Sequence, residues 1–343
     1  MKLLFCISTV LLFAGCNNQP NSQSMQQAQQ DSAIGKIEWY DSSAASIIDS
    51  NAAIEVIGKG YNWSEGPVWI AEKRMLLFSD VPENKIYQWK EGDTPRVYLM
   101  PAGYTGSTPR EGEIGSNGLA LDATGNLLLC QSGNRQVARM SASLDAPKPD
   151  FTALAANYNG KKFNSPNDLV ADSKNNIYFT DPVYGLPKGA DDPARELPFE
   201  GVYKISAGGK LSLLIDSIPR PNGIAFSPDE HTLYLASSDE QKPAWYAFQL
   251  DENGNIKSGG VLLNALPLKQ KAAQKQGPDG MKIDQYGNIF GAGPDGINII
   301  SPAGKLLGLI KVYNRFTSNC SFSATKDTLY VTADDMVLRV KLR

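Results

Sequence analysis

The chain reads as an all-β protein, a six-bladed β-propeller whose last blade is completed by an N-terminal strand. Three observations predict this. One phrase recurs six times, each recurrence is patterned as strand, turn and strand, and the last copy is too short for a whole blade. The copies open at "SEGPVW", "GSNGLALD", "SPNDLVAD", "RPNGIAFS", "GPDGMKID" and "TSNCSFSA". Each carries a polar residue in the same slot: Glu65, Asn117, Asn167, Asn222, Asp279 and Asn319, spaced by 52, 50, 55, 57 and 40 residues. Repeats of this length mark propellers and similar arrays.

The N-terminus comes first. In "MKLLFCISTVLLFAGC" one Lys precedes an apolar run too short to span a bilayer as a helix, the pattern of a signal peptide. Its end, "FAGC", resembles a bacterial lipoprotein cleavage box, so residues 1–15 are expected to be removed and Cys16 lipidated. The Gln/Asn/Ser-rich stretch that follows has little to bury, and residues 16–50 are expected to be a disordered tether. The protein is then expected to be exported and held in the cell envelope, periplasmic or at the cell surface, with the lipid anchor as its sole membrane contact. The propeller is assigned to residues 51–343.

The first propeller element is "AAIEVIGKGY", a strand-like run with no copy of its own. After Asn319 only 24 residues remain, room for three strands rather than four. Pairing of about residues 52–60 with 336–342 completes the sixth blade and removes an exposed sheet edge. Within the copies, "LVADSKNNIYFTD" and "MKIDQYGNIFGAG" place β-branched and aromatic runs around Asn/Gly turns. "GVYKISAGGKLSLLID" and "WYAFQLDENGNI" supply outer strands, about four per copy, and no segment carries a sustained helical period. Cys130 and Cys320, the two cysteines beyond the leader, are expected as buried thiols, with a bridge as the alternative.

Composition narrows the function. The 343 residues are 42% hydrophobic and 20% charged, with a formal net charge of −3 and no Lys/Arg run. Nothing in that balance recruits nucleic acid. The single histidine, His231, lies in a polar turn, and no nucleophile elbow, P-loop or dinucleotide fingerprint is present. Chemistry must then fall to carboxylates or to a metal.

The innermost strand of each blade lines a propeller's channel, so the six equivalent polar residues should ring the axis. Turn-forming Asn and Asp are the plain alternative for any one of them. Converging carboxylates repel unless a cation lies between them. Carboxylate and amide oxygens without Cys or His select calcium or magnesium, and flexible coordination favours calcium. Asp80, Asp181, Asp239 and Asp334 return to the same mouth and are expected either to buttress the ring or to cap turns. Three long insertions, Pro101 to Gly115, Pro182 to Gly201 and Asn264 to Gly277, should overhang that face.

The motifs "EGPVW", "NSPNDLV", "FTDPVYGL", "PNGIAFSPDEHTLY", "PDGMKID" and "GKLLG" together resemble the SMP-30/gluconolactonase/luciferin-regenerating-enzyme family, on its bacterial gluconolactonase side. The resemblance covers roughly residues 58–343. It implies a propeller with an axial calcium held by Glu65, Asn167, Asn222 and Asp279, hydrolysis of a lactone, and Asp279 as a general base. Asn117, Arg135, Asp181 and Asn319 are placed as substrate-facing residues. One departure stands out: where many relatives read Cys-Glu-His, this chain reads "CQSGNRQV", with Gln131 and Ser132 in place of the charged pair. That leaves the identity of the lactone open. The alternatives are a calcium-dependent hydrolase of another ester or phosphoester, and a non-enzymatic ligand-binding propeller at the cell surface.

Overall fold

The computed structural model describes residues 33–343. The signal peptide, Cys16 and the first part of the expected tether lie outside the described residues. Six antiparallel blade sheets follow in chain order, each beginning with a strand at the axis and stepping outward, and a two-stranded ribbon, Asn157–Tyr158 with Lys161–Lys162, lies between blades two and three. Blades one to four span Ser64–Leu99, Ser116–Ala155, Leu169–Ile215 and Pro221–Asn264, four strands each. Blade five runs Met281–Val312, and blade six supplies three strands, Thr317–Phe322, Thr328–Ala333 and Met336–Lys341.

The missing strand of blade six is Ile54–Lys59, which pairs antiparallel with Met336–Lys341 from Ile54↔Val340 to Lys59↔Met336. The ring therefore closes by joining the two ends of the domain, as the short last copy predicted. At the closure Ser64 Oγ donates to the Met336 carbonyl at 2.8 Å, and Ser318 Oγ donates to the Ser64 carbonyl at 2.6 Å.

The tether expectation fails from Ile34 onward. Gly35–Trp39 adds a fifth strand to the outer edge of blade five, paired with Leu306–Val312. A 3-10 turn at Ser42–Ser46 follows, its start capped by Asp41, which accepts from the Ser43 amide. The reason is apolar burial: Ile37, Ala44 and Ile48 are sealed into the cluster between blades five and six, beside Ile310, Val312, Leu338 and Val340. Gly35 is required there, because a Cβ would stand 1.9 Å from the Lys311 carbonyl oxygen. One further departure is a six-residue α-helix, Leu266–Lys271, too short to declare a helical period, with proline in its first turn.

Between blades the core divides into separate clusters. One is aromatic, with Phe163, Phe179 and Tyr203 mutually 5.1–5.2 Å apart. Near the axis the blades are stitched by hydrogen bonds. Ser79 Oγ donates to the Asn117 carbonyl at 2.9 Å, and Thr180 Oγ1 to the Asn222 carbonyl at 2.8 Å. Glycine follows four of the ring residues, where a neighbour closes in: a Cβ on Gly66, at φ +53°, would meet the Asn117 carbonyl oxygen at 2.1 Å, and one on Gly280 the Asn319 side chain at 2.0 Å. Cys130 and Cys320 are buried free thiols.

Candidate active site

The ring residues converge as the repeat predicts. Glu65, Asn117, Asn167, Asn222 and Asp279 all line one cavity of about 320 Å³ at the mouth of the channel. All three insertions reach it, contributing Glu113, Tyr184, and Lys275 with Gln276. Trp63 and Phe316 form an aromatic rim. The exposed His231 sits on the opposite face, in the turn between the first two strands of blade four.

The donor chemistry of the floor is one-sided. The Oδ1 atoms of Asn117, Asn167 and Asn222 are buried and have no hydrogen-bond partner. Leaving a buried carbonyl unpaired costs on the order of 1–3 kcal/mol, so three around one cavity call for a common occupant. Glu65 and Asp279 add carboxylates. Burial, then the charge of Asp168, pushes Glu65 up to about 8. Burial, then the charges of Glu65, Asp168 and Glu113, holds Asp279 well above the ordinary carboxylate range. Oxygens that are unpaired and carboxylates that cannot ionise together fit a hard divalent cation. Among the described residues no three His, Cys, Asp or Glu form a metal cluster. The amide oxygens are thus as necessary to this donor set as the carboxylates.

Asn319 takes a different part. Its Nδ2 donates to Glu65 and to Asp168, both at 3.3 Å, and its Oδ1 accepts from the Cys320 amide at 2.9 Å. It lies below the cavity and orients Glu65 rather than lining the space for a substrate. Asp168 occupies the slot held by glycine in four other copies, and Lys282 Nζ donates to Asn319 Oδ1 at 3.4 Å. Neither residue is signalled by the repeat, because each departs from it.

Arg135 does not meet the cavity. Its Nε donates to the Phe163 carbonyl at 2.5 Å and its Nη1 to the Ala194 carbonyl at 2.8 Å, fastening the insertion at Pro182 to Gly201. Asp181 is also walled off: it accepts from the amides of Asn164 and Ser165, both at 2.8 Å, and burial lifts it to about 7. Asp80 accepts from the amides of Asn62 and Trp63, and Asp334 from that of Phe316. All three brace the segment leading into a ring residue, whereas Asp239 caps its own turn at Gln241 and Lys242. Gln131 and Ser132 serve the loops too, donating to the carbonyls of Ala102 and Pro166.

Comparison with known proteins now identifies the lineage. Residues 63–335 match the model described as the SMP-30/Gluconolactonase/LRE-like region. The chain belongs to this family. A gluconolactonase of Zymomonas mobilis is 36% identical over 330 residues, covering 94% of this chain and 90% of that protein. A gluconolactonase from Xanthomonas campestris superposes with a TM-score of 0.76 at 28% identity, over 90% of this chain and 95% of that one. The fold is shared as well by regucalcin of Agrobacterium tumefaciens, a calcium-binding protein, at 16% identity and TM-score 0.65, over 85% and 95% of the two chains. Membership places the protein among the lactonase-type hydrolases.

Proposed function

We propose that this SMP-30/gluconolactonase-family protein is a calcium-dependent hydrolase that opens a sugar lactone. The observation that carries the reading is the cavity floor, where three unpaired amide oxygens and two carboxylates face one space. The relatives supply the reaction class, and the regucalcins supply the precedent for calcium.

Glu65, Asn167, Asn222 and Asp279 are the residues that would hold calcium, with Asn117 Oδ1 facing the same space. Bound there, calcium would supply a fixed positive charge that favours negative charge developing on an acyl oxygen. Asn319 keeps Glu65 aimed upward through its Nδ2. Asp279 opens onto the cavity and is the acceptor for the proton of the attacking water. Trp63 and Phe316 offer flat apolar faces against which a sugar ring can lie.

A panel of sugar and aliphatic lactones, assayed with calcium and after chelation, tests the reading. Hydrolysis that disappears with chelator and returns with calcium supports it. Activity indifferent to chelation sinks the metal assignment, and no turnover of any lactone sinks the substrate class.

A further inference from the structure

Two carboxylates reach the cavity from outside the ring. Glu240 is exposed and paired with Lys269 at 2.6 Å. Glu113 is not: it belongs to the insertion at Pro101 to Gly115, lines the cavity, and its Oε2 is buried without a hydrogen-bond partner. A buried, unpartnered carboxyl oxygen in a loop is costly unless it meets a ligand.

The loop that presents it is fastened at both ends. Asn84 Oδ1 accepts from the amides of Ala102, Gly103 and Tyr104. The Tyr104 amide donates to the Ile114 carbonyl at 2.7 Å, and the Gly115 amide to the Val81 carbonyl at 2.8 Å. Arg110 ties the far bend to the carbonyls of Gly133 and Gly185. Glu113 is therefore held next to Ile114 and Gly115, both hydrogen-bonded to neighbouring backbone, just ahead of the strand Ser116–Leu121 that carries Asn117. Burial pushes its carboxyl up to about 7, the direction a proton donor needs.

We propose that Glu113 is the general acid of lactone opening, delivering its proton to the ring oxygen as the acyl bond to that oxygen breaks. This rests on the lactonase reading above. The water oxygen forms the new acyl bond, and the water's proton leaves to Asp279. The acyl–ring oxygen bond breaks, and the departing oxygen takes the Glu113 proton to become a hydroxyl. Asp279 then gives its proton up to solvent and Glu113 takes one from solvent through the open mouth, so the net change is addition of one water. An aliphatic alkoxide is too basic to depart unprotonated, whereas a phenolate, with a conjugate acid near pKa ~10, is not.

The test compares Glu113→Gln and Glu113→Asp with the wild type on two substrates: an aliphatic δ-lactone and an aryl lactone that opens to a phenolate. Calcium binding is measured by calorimetry on the same preparations. The expected result is that Glu113→Gln loses about 100-fold or more in kcat on the aliphatic lactone. It should keep most activity on the aryl lactone and bind calcium as the wild type does, with Glu113→Asp recovering part of the loss. Equal losses on both lactones, no loss on either, or a calcium affinity weakened tenfold or more would each overturn the assignment. If the wild type opens no lactone of the panel above, the lactonase reading falls and this assignment with it; if the wild type opens these lactones and Glu113→Gln matches it on both, the acid alone falls.

Discussion

Asn167 shows how a single residue is shaped by what it awaits. Its backbone amide donates to the Thr180 carbonyl at 2.9 Å, which fixes the main chain, while its Oδ1 has no partner in the protein. Asn167→Leu keeps the volume and removes the unpaired oxygen. The metal-free protein should gain on the order of 1 kcal/mol, visible as a melting temperature raised by about 2 °C. The rise in melting temperature on adding calcium should shrink at the same time. A variant that is destabilised without metal, or that keeps the full calcium response, would show that Asn167 serves the fold and not the ion.

The carboxylates predict a pH signature. Glu65 is lifted to about 8 and Glu113 to about 7, both chiefly by burial. A folded-state value above the unfolded one means the native state binds more protons, so stability is fullest below the unfolded carboxylate range. It then falls as pH climbs through 7 and 8. Melting of calcium-free protein should therefore drop between about pH 5 and pH 8, and saturating calcium should flatten most of that slope. Glu113, which does not hold the ion, and Asp181, also lifted to about 7 but away from the cavity, leave a residual slope that calcium does not remove. A calcium-free melting curve that rises across this window would contradict the burial of these groups.

At the scale of elements, two N-terminal strands differ in what they hold. Removing residues up to 48 deletes Gly35–Trp39 and the turn at Ser42–Ser46 but leaves Ile54–Lys59 in blade six. That protein should stay folded and active with a lower melting temperature, since it loses the burial of Ile37, Ala44 and Ile48. Removing residues up to 60 opens the ring and exposes the edge of Met336–Lys341, so the product should aggregate or unfold. Soluble, fully active protein after the longer deletion would show that closure is not needed.

These elements also show what was legible in the sequence. Ile54–Lys59 was readable because the last copy lacked a strand and this run lacked a blade. Gly35–Trp39 was not: it is an extra fifth strand, so no repeat demanded it, and it follows directly on a polar tract. The ring residues were legible because one slot repeats. Arg135 was misplaced because a residue shared with a family motif says where the backbone passes and not which way a long side chain turns; here it turns to Phe163 and Ala194. Glu113 lies in an insertion, where no periodicity exists to single it out.

For the whole molecule, the outer strands of blades five and six fix where the two ends of the described domain emerge. The Tyr313 amide donates to the Ile34 carbonyl, beside Val312, whose amide donates to Asp295; the Asp295 carboxylate in turn holds the Gln274 amide of a mouth insertion. The C-terminus is at the other face, where the Arg343 amide donates to the Ile47 carbonyl. The domain thus has an addressable orientation. Immobilised through a linker ahead of Ile34, it should hang with its cavity turned toward the support. Immobilised through Arg343, it should present the cavity to bulk solution. On a bead or sensor surface the second arrangement should turn over a bulky lactone faster than the first, while a small lactone should hardly distinguish them; equal rates for the bulky substrate would place both attachment points away from its path.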